Sequence, residues 1–310
     1  MTHTPVLLKE VLENLKARDG GRFVDATVGS GGHLRGILES NERNEVLGID
    51  LDQTSLDKLR EQLVQEGLAQ RVKLVKGSYR QIDTILEETG WDKVDGIVAD
   101  LGFSSVQVDD PGRGFSFAHD GPLDMRYDQE SLLTAHEVVN RYHPKEMEQV
   151  FADYGEEKFS RRIVSKIVEA RKLQHIKSTT QLAEIIRTAI SLPVRFKSQD
   201  NIRRIFQALR IEVNKELENL KLALPKMMKA LKPNGRLCII SFHSLEDRIA
   251  KDFFVAAAKD CICPPEFPTC ICGKSSELRI ITRKPITASE TELSENSRSK
   301  PAKLRVVEKI

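Results

Sequence analysis

No apolar run in this chain is long enough to cross a bilayer, which argues against a membrane-spanning helix. The opening segment, MTHTPVLLKEVLENLKARDG, carries acids within its first turns and lacks the layout of a secretory signal, so a cytoplasmic location is expected. A dominant charge of one sign is also missing: 48 Lys and Arg against 46 Asp and Glu leave a net +2. No internal repeat is apparent. Cysteine is scarce outside one place, with four of the five packed into CICPPEFPTCIC. In a cytosolic protein such a cluster is a poor candidate for stable disulfides. What is present is an ordinary soluble composition, 40% hydrophobic and 30% charged over 310 residues. That length buries a large core and makes two domains a reasonable expectation.

Strands and helices alternate from residue 22 to 102. RFVDAT, EVLGID, RVKLVKG and VDGIVADLG read as strands. HTPVLLKEVLENL, GGHLRGILES and TSLDKLREQLVQEG have helical spacing, the last with a stop at Gly67. A parallel sheet with right-handed crossovers follows. The alternation then ceases. RGFSFAHDGPLDMRYD mixes Gly, Pro, Asp and aromatics without a period and reads as a long ordered loop. Helices are expected at 145–152, 156–173 and 179–191, and one long helix from near Asn201 through IRRIFQALRIEVNKELENLKLALPKMMKAL. Three strands return in GRLCIISFH, LRIITRK and AKLRVVEKI, and the polar stretch ITASETELSENSRSKPA reads as a mobile loop. The expected organisation is a sheet domain, 1–108 and 213–310, interrupted by an inserted helical substrate-recognition domain, 109–212.

The near-zero net charge hides a division. From Glu156 to Lys215 there are 14 Lys and Arg against 6 Asp and Glu, or +8, so the rest of the chain carries about −6 (2 − 8). On the helix at 156–173, Phe159, Ile163, Ile167 and Ala170 are expected to form the buried stripe, with Arg162, Lys166 and Lys172 pointing elsewhere. These charges are either a solvated face or a footprint for phosphates; their concentration in one module favours the footprint.

FVDATVGSGGH poses the central question. Glycines between a strand and a helix are a usual place for a nucleotide-like ligand. The dinucleotide fingerprint G-x-G-x-x-G fails, because Leu34 stands at its third glycine. No Lys-Ser/Thr pair follows the last glycine, so this is no Walker loop. What remains is D-x-T-x-G-x-G-G from Asp25. The second strand ends in Asp50, where a carboxylate can accept both hydroxyls of a ribose, unless it simply caps the next turn. Tyr79, after the third strand, can lie on an adenine face. Asp100 ends the fourth strand. Together these residues suit S-adenosylmethionine.

The chain resembles the bacterial MraW family of small-subunit ribosomal RNA cytosine-N4 methyltransferases. The motifs that carry this are HTPVLLKEVL, DATVGSGGHLRGIL, GIDLD, VDGIVADLGFSSVQVDDPGRGFSFAHDGPLDMR, YGEEKFSRRIVSKIVEAR, RIFQALRIEVNKEL and GRLCIISFHSLEDRI, which run almost end to end. The resemblance implies a class I S-adenosylmethionine-dependent methyltransferase fold, α/β and Rossmann-like, and methyl transfer to the exocyclic amine of a cytidine in the decoding region of 16S ribosomal RNA, free or in the assembling small subunit. Carried over by position, it places cofactor contacts on Gly31, Gly32, His33, Asp50, Tyr79, Asp100 and Gln107. Tyr79 stands where many members have Phe.

The amine of cytosine is a poor nucleophile because its lone pair is delocalised into the ring. An acceptor that orients the amine helps. Many amino methyltransferases place a D-P-P-Y-like tetrapeptide at this strand end. Asp100-Leu101-Gly102-Phe103 keeps the acid and an aromatic but has neither proline. Asp100 and the Leu101 carbonyl are the candidate acceptors, with Phe103 or Phe115 to stack on the base; a purely cofactor-binding Asp100 is the alternative. His243, in SFHSLEDR after the fifth strand, is expected to position substrate. Asp120, Asp124 and Arg126 form either a loop over the active site or a rigid turn. Cys261, Cys263, Cys270 and Cys272 are either a four-thiolate zinc site or reduced thiols in a loop. Two other classes remain: an amino-methyltransferase of DNA or a small molecule, and a protein that holds RNA and cofactor without turnover.

Overall fold

The computed structural model describes residues 5–102, 105–190, 198–264, 267 and 269–310. The chain divides into two compact units, Met1–Gly102 with Leu217–Ile310, and Phe103–Glu216.

The first unit is built on seven strands: β1 Arg22–Asp25, β2 Glu45–Asp50, β3 Val72–Lys76, β4 Val94–Asp100, β5 Leu231–Ser241, β6 Leu278–Ile280 and β7 Lys303–Lys309. Their order is β3-β2-β1-β4-β5-β7-β6. β1 to β5 pair in parallel, and β7 runs antiparallel to both of its neighbours. The central strands are apolar on both faces because both faces are covered. Val24, Ile97, Ala99, Leu237 and Ile239 pack on one side; Phe23, Val98, Cys238 and Ile240 pack on the other. The chain leaves β1 toward β2 and β3, then returns to lay β4 on the opposite flank. The carboxyl ends of β1 and β4 therefore border a topological switch point, where open α/β sheets hold ligands.

The second unit is helical: Ala135–Arg141, Pro144–Asp153, Ser160–Leu173, Thr179–Ala189 and Ser198–Asn214 are its main helices. Their apolar faces meet around Val138, Phe151, Ile163, Ile186 and Ile205. Residues 114–134 form no helix or strand, but backbone and side-chain bonds hold them, including Met125 N–H to the Arg113 carbonyl at 3.0 Å.

Three expectations need correction. The long helix from Asn201 is two helices, Ser198–Asn214 and Glu216–Ala230, broken where Lys215 adopts φ 50°. Periodicity is blind to one residue in the left-handed region. Phe159 is 36% exposed; the buried stripe of its helix is Ser160, Ile163, Val164 and Ile167. The polar stretch 286–302 is ordered rather than a free loop. It contains the helix Glu290–Glu295, capped by Ser289, and Glu292 accepts the Leu7 N–H at 2.8 Å.

Candidate active site

The turn after β1 is closed by short-range bonds. Val28 N–H donates to the Ile49 carbonyl at 2.9 Å, and Gly31 N–H to the Val28 carbonyl at 2.7 Å. Gly29 and Gly31 lie at φ 48° and 82°, and Gly31 caps the helix Gly32–Ser40. A Cβ on Gly31 would strike Leu59, and one on Gly32 would strike Pro5. Packing thus disfavours a side chain at both positions, and the positive φ of Gly31 adds a conformational reason there.

Asp50 ties this turn to β2. One carboxylate oxygen accepts Gly29 N–H at 2.8 Å and the other accepts Asp52 N–H at 2.9 Å. Burial raises its pKa, and those two N–H bonds oppose the shift. Asp52 caps the following helix through Thr54 N–H at 3.0 Å. Asp50 thus caps the turn that follows β2, and Asp52 caps the helix after it. Asp25, at the end of β1, is 1% exposed, and burial pushes its pKa up to about 7.

Asp100 ends β4 in the same place. Its N–H donates to Thr27 Oγ1 at 2.7 Å, which joins the β1 turn to β4. The Thr two residues after Asp25 was the available sequence signal for this link. Asp100 Oδ1 is buried and has no hydrogen-bond partner among the described residues. Oδ2 stands 4.0 Å from His33 Nδ1. The Val6 carbonyl lies 3.0 Å from His33 Nε2, so that nitrogen is the donor and Nδ1 is the ring nitrogen facing Asp100. Burial holds the Asp100 pKa well above the usual carboxylate range, and the charges of Asp25 and Glu246 push it further. The site thus gathers the glycine turn, Asp25, His33, Asp50 and Asp100 at three strand ends.

Tyr79 begins a short 3-10 turn after β3, half-buried against the core. Gln107 is buried in the short helix Ser105–Asp109 of the second unit. Phe103 lies outside the described residues. Phe115 is stacked on Tyr127, with ring centroids 5.7 Å apart. Asp124 and Arg126 form a two-pronged ion pair at 2.9 and 2.7 Å, and Arg126 also donates to the Gln129 and Ser131 carbonyls. Asp120 bonds Thr180. These bonds of Asp120, Asp124 and Arg126 lie within residues 103–216 and suit a rigid turn.

The four clustered cysteines come together between the helix Ser244–Ala257 and β6. Their sulfurs lie within 4.8 Å of one another, with separations of 3.4 Å (Cys261–Cys270), 3.5 Å (Cys270–Cys272) and 3.7 Å (Cys261–Cys272). The two C-x-C segments interlock: Ile262 N–H points at Cys272 Sγ and Ile271 N–H at Cys263 Sγ. The Ile262 N–H, the chief influence, helps hold the Cys272 thiol down to about 6.

A seven-stranded sheet with a reversed β7, a glycine turn after β1 and acids closing β1, β2 and β4 define the class I S-adenosylmethionine-dependent methyltransferase fold. Within that class, the chain belongs to the MraW methylase family, whose sequence profile matches residues 1–310. A protein of Heliobacterium mobile named ribosomal RNA small subunit methyltransferase H is 48% identical over 310 residues, covering 99% of each chain. Proteins of the same name from Clostridium botulinum (strain Loch Maree / Type A3) and Halothermothrix orenii are 47% and 44% identical; the alignments cover 99% and 100% of this chain and 99% of each relative.

Proposed function

We propose that this protein methylates the exocyclic N4 amine of a cytidine in the decoding region of 16S ribosomal RNA, in the cytoplasm, acting on the RNA or the assembling small subunit. The observation that carries the reading is near-end-to-end identity to relatives named for small-subunit ribosomal RNA methylation. Among the described residues no helix is long and apolar enough to cross a membrane.

S-adenosylmethionine, when bound, supplies an electrophilic methyl group on a sulfonium. Gly31, Gly32, His33, Asp50, Tyr79, Asp100 and Gln107 are the residues assigned to hold it. The donor set fits. A carboxylate offers about four acceptor positions, and Asp50 uses two of them on Gly29 and Asp52. The remaining two suit a ribose diol. Tyr79 offers a ring face for adenine. Asp100 presents a buried oxygen that no described residue satisfies. Such an orphan calls for a donor from a ligand, and an amine N–H is one. Asp100 thereby orients the amine so that its lone pair faces the methyl group.

The second unit supplies the grip on RNA in this reading. Arg161 and Arg162 are exposed within the +8 stretch, whereas Lys166 is already paired with Glu169 at 2.6 Å. The cysteine cluster suits one structural zinc. Zn–S bonds of about 2.3 Å in a tetrahedron put sulfurs about 3.8 Å apart, close to the separations above.

The test uses small subunits from cells lacking the methyl group. Purified protein with S-adenosylmethionine should convert one cytidine to N4-methylcytidine, identified by mass spectrometry of RNA nucleosides. Methyl transfer to any other atom, or to DNA instead, would overturn the reading.

A further inference from the structure

His243 follows β5 and occupies the N-cap position of the helix Ser244–Ala257, yet its side chain caps nothing. The ring is 9% exposed, and neither nitrogen has a hydrogen-bond partner among the described residues. An imidazole taken out of water without partners is costly, so such a group needs an explanation. Its near neighbour is Glu246, whose Oε1 lies 3.2 Å from Nε2 but off the line of a hydrogen bond. Glu246 is itself 2% exposed and is held by the Phe242 N–H, which donates to Oε2 at 2.9 Å.

The placement matters as much as the missing partners. β4 and β5 are adjacent, Asp100 is in register with Ile240, and Leu101 N–H bonds the Ile240 carbonyl at 2.9 Å. Asp100 and His243 therefore leave the same end of neighbouring strands. Both present buried polar atoms that no described residue satisfies.

We propose that His243, with the Glu246 carboxylate beside it, is the group that takes the proton released by the cytidine amine during methyl transfer. This rests on the reaction proposed above. As the N4–carbon bond forms, the carbon–sulfur bond breaks and sulfur keeps its electron pair. One amine proton passes from N4 to Nδ1 of His243. The resulting imidazolium faces the Glu246 carboxylate through Nε2, and the proton is later lost to water. A carboxylate beside an imidazole stabilises its charged form. Asp100 is a poor alternative for this step. Its Oδ1 is the acceptor that orients the amine in this reading, which leaves the released proton to a second group at the same strand ends.

The experiment compares wild type, His243→Gln, His243→Ala and Glu246→Gln on methyl-deficient small subunits, with cofactor affinity by calorimetry and melting temperature measured alongside. His243→Gln should lose roughly 10²–10⁴-fold in turnover, the usual scale of general acid–base catalysis. Its cofactor affinity and melting temperature should stay near wild type. Added imidazole should restore part of the activity of His243→Ala and none to His243→Gln, whose side chain still fills the space. Glu246→Gln keeps an acceptor for Phe242 and should show a smaller loss of turnover at unchanged cofactor affinity. If wild type works and His243→Gln turns over within about threefold of it, the inference falls alone. It also falls if His243→Ala loses cofactor affinity and imidazole restores nothing, since that is a structural role. A wild type that makes no N4-methylcytidine instead removes the reading on which the inference rests.

Discussion

Asp25 joins the acid–base state of the site to the stability of the sheet. Its carboxyl is pushed up to about 7, chiefly by burial, against the Thr27 N–H and with help from Asp50. An unfolded aspartate titrates near 3.9. Between about pH 4 and about pH 7 the folded chain keeps a proton that the unfolded chain has lost. The native-state advantage of neutral Asp25 is therefore complete below the unfolded pKa and fades as pH rises to about 7. Asp25→Asn should remove one proton from this linkage, flattening the fall in stability by at most about 1.4 kcal/mol per pH unit. Urea unfolding of both proteins across that range measures it; parallel curves would refute it. At Asp50 the expectation concerns the cofactor. Asp50→Ala should weaken S-adenosylmethionine by about 1.5–3 kcal/mol for each charge-assisted bond removed. The Gly29 N–H also loses its acceptor, so the turn should loosen. Calorimetry showing wild-type affinity would take Asp50 out of the site.

At the scale of elements, the junction at Lys215 is the clearest case of backbone overriding pattern. A non-glycine residue at φ 50° carries strain that glycine lacks. Lys215→Gly should raise the denaturation midpoint by an amount equivalent to roughly 0.5–1 kcal/mol, after the entropy of the freer unfolded chain is counted. Lys215→Val should lower it. The cysteine hairpins pose a compositional question instead. If Cys261, Cys263, Cys270 and Cys272 close a zinc site, elemental analysis of reduced, purified protein should find about one zinc per chain. Cys270→Ser should reduce that content sharply. A metal-free wild type would return the cluster to four reduced thiols.

For the whole molecule, the uneven charge is the property with a measurable consequence. Arg161→Gln with Arg162→Gln should weaken RNA binding and reduce its dependence on salt. Each phosphate that these arginines no longer neutralise should lower the slope of log affinity against log salt by roughly 0.7–0.9. Lys166 is a poorer choice, since Glu169 already neutralises it locally. Cofactor affinity should hold, because the glycine turn and Asp50 belong to the other unit. Binding titrations at several salt concentrations check both parts. An unchanged slope with a fallen cofactor affinity would mean that these arginines support the fold.

Local pattern determined a good deal by itself. The alternation of apolar runs with amphipathic stretches specified β1 to β4 and their parallel pairing; the central β1 and β4 read as apolar runs because both of their faces are covered. The acid closing β1, the glycine turn and Asp50 were legible because each sits at a boundary that the chain itself marks. Other features required the tertiary structure. The order of β6 and β7 depends on long-range pairing, which local pattern does not announce. The break at Lys215 is a single dihedral choice, invisible to a period averaged over turns. The ordering of 286–302 comes from partners far away in the chain, such as Leu7. The raised pKa values of Asp25 and Asp100, and the missing partners of Asp100 Oδ1 and His243, are matters of burial and of what lies opposite. A residue's name supplies its chemistry. Only the packed chain decides which of its atoms meet water, which meet each other and which remain for a ligand.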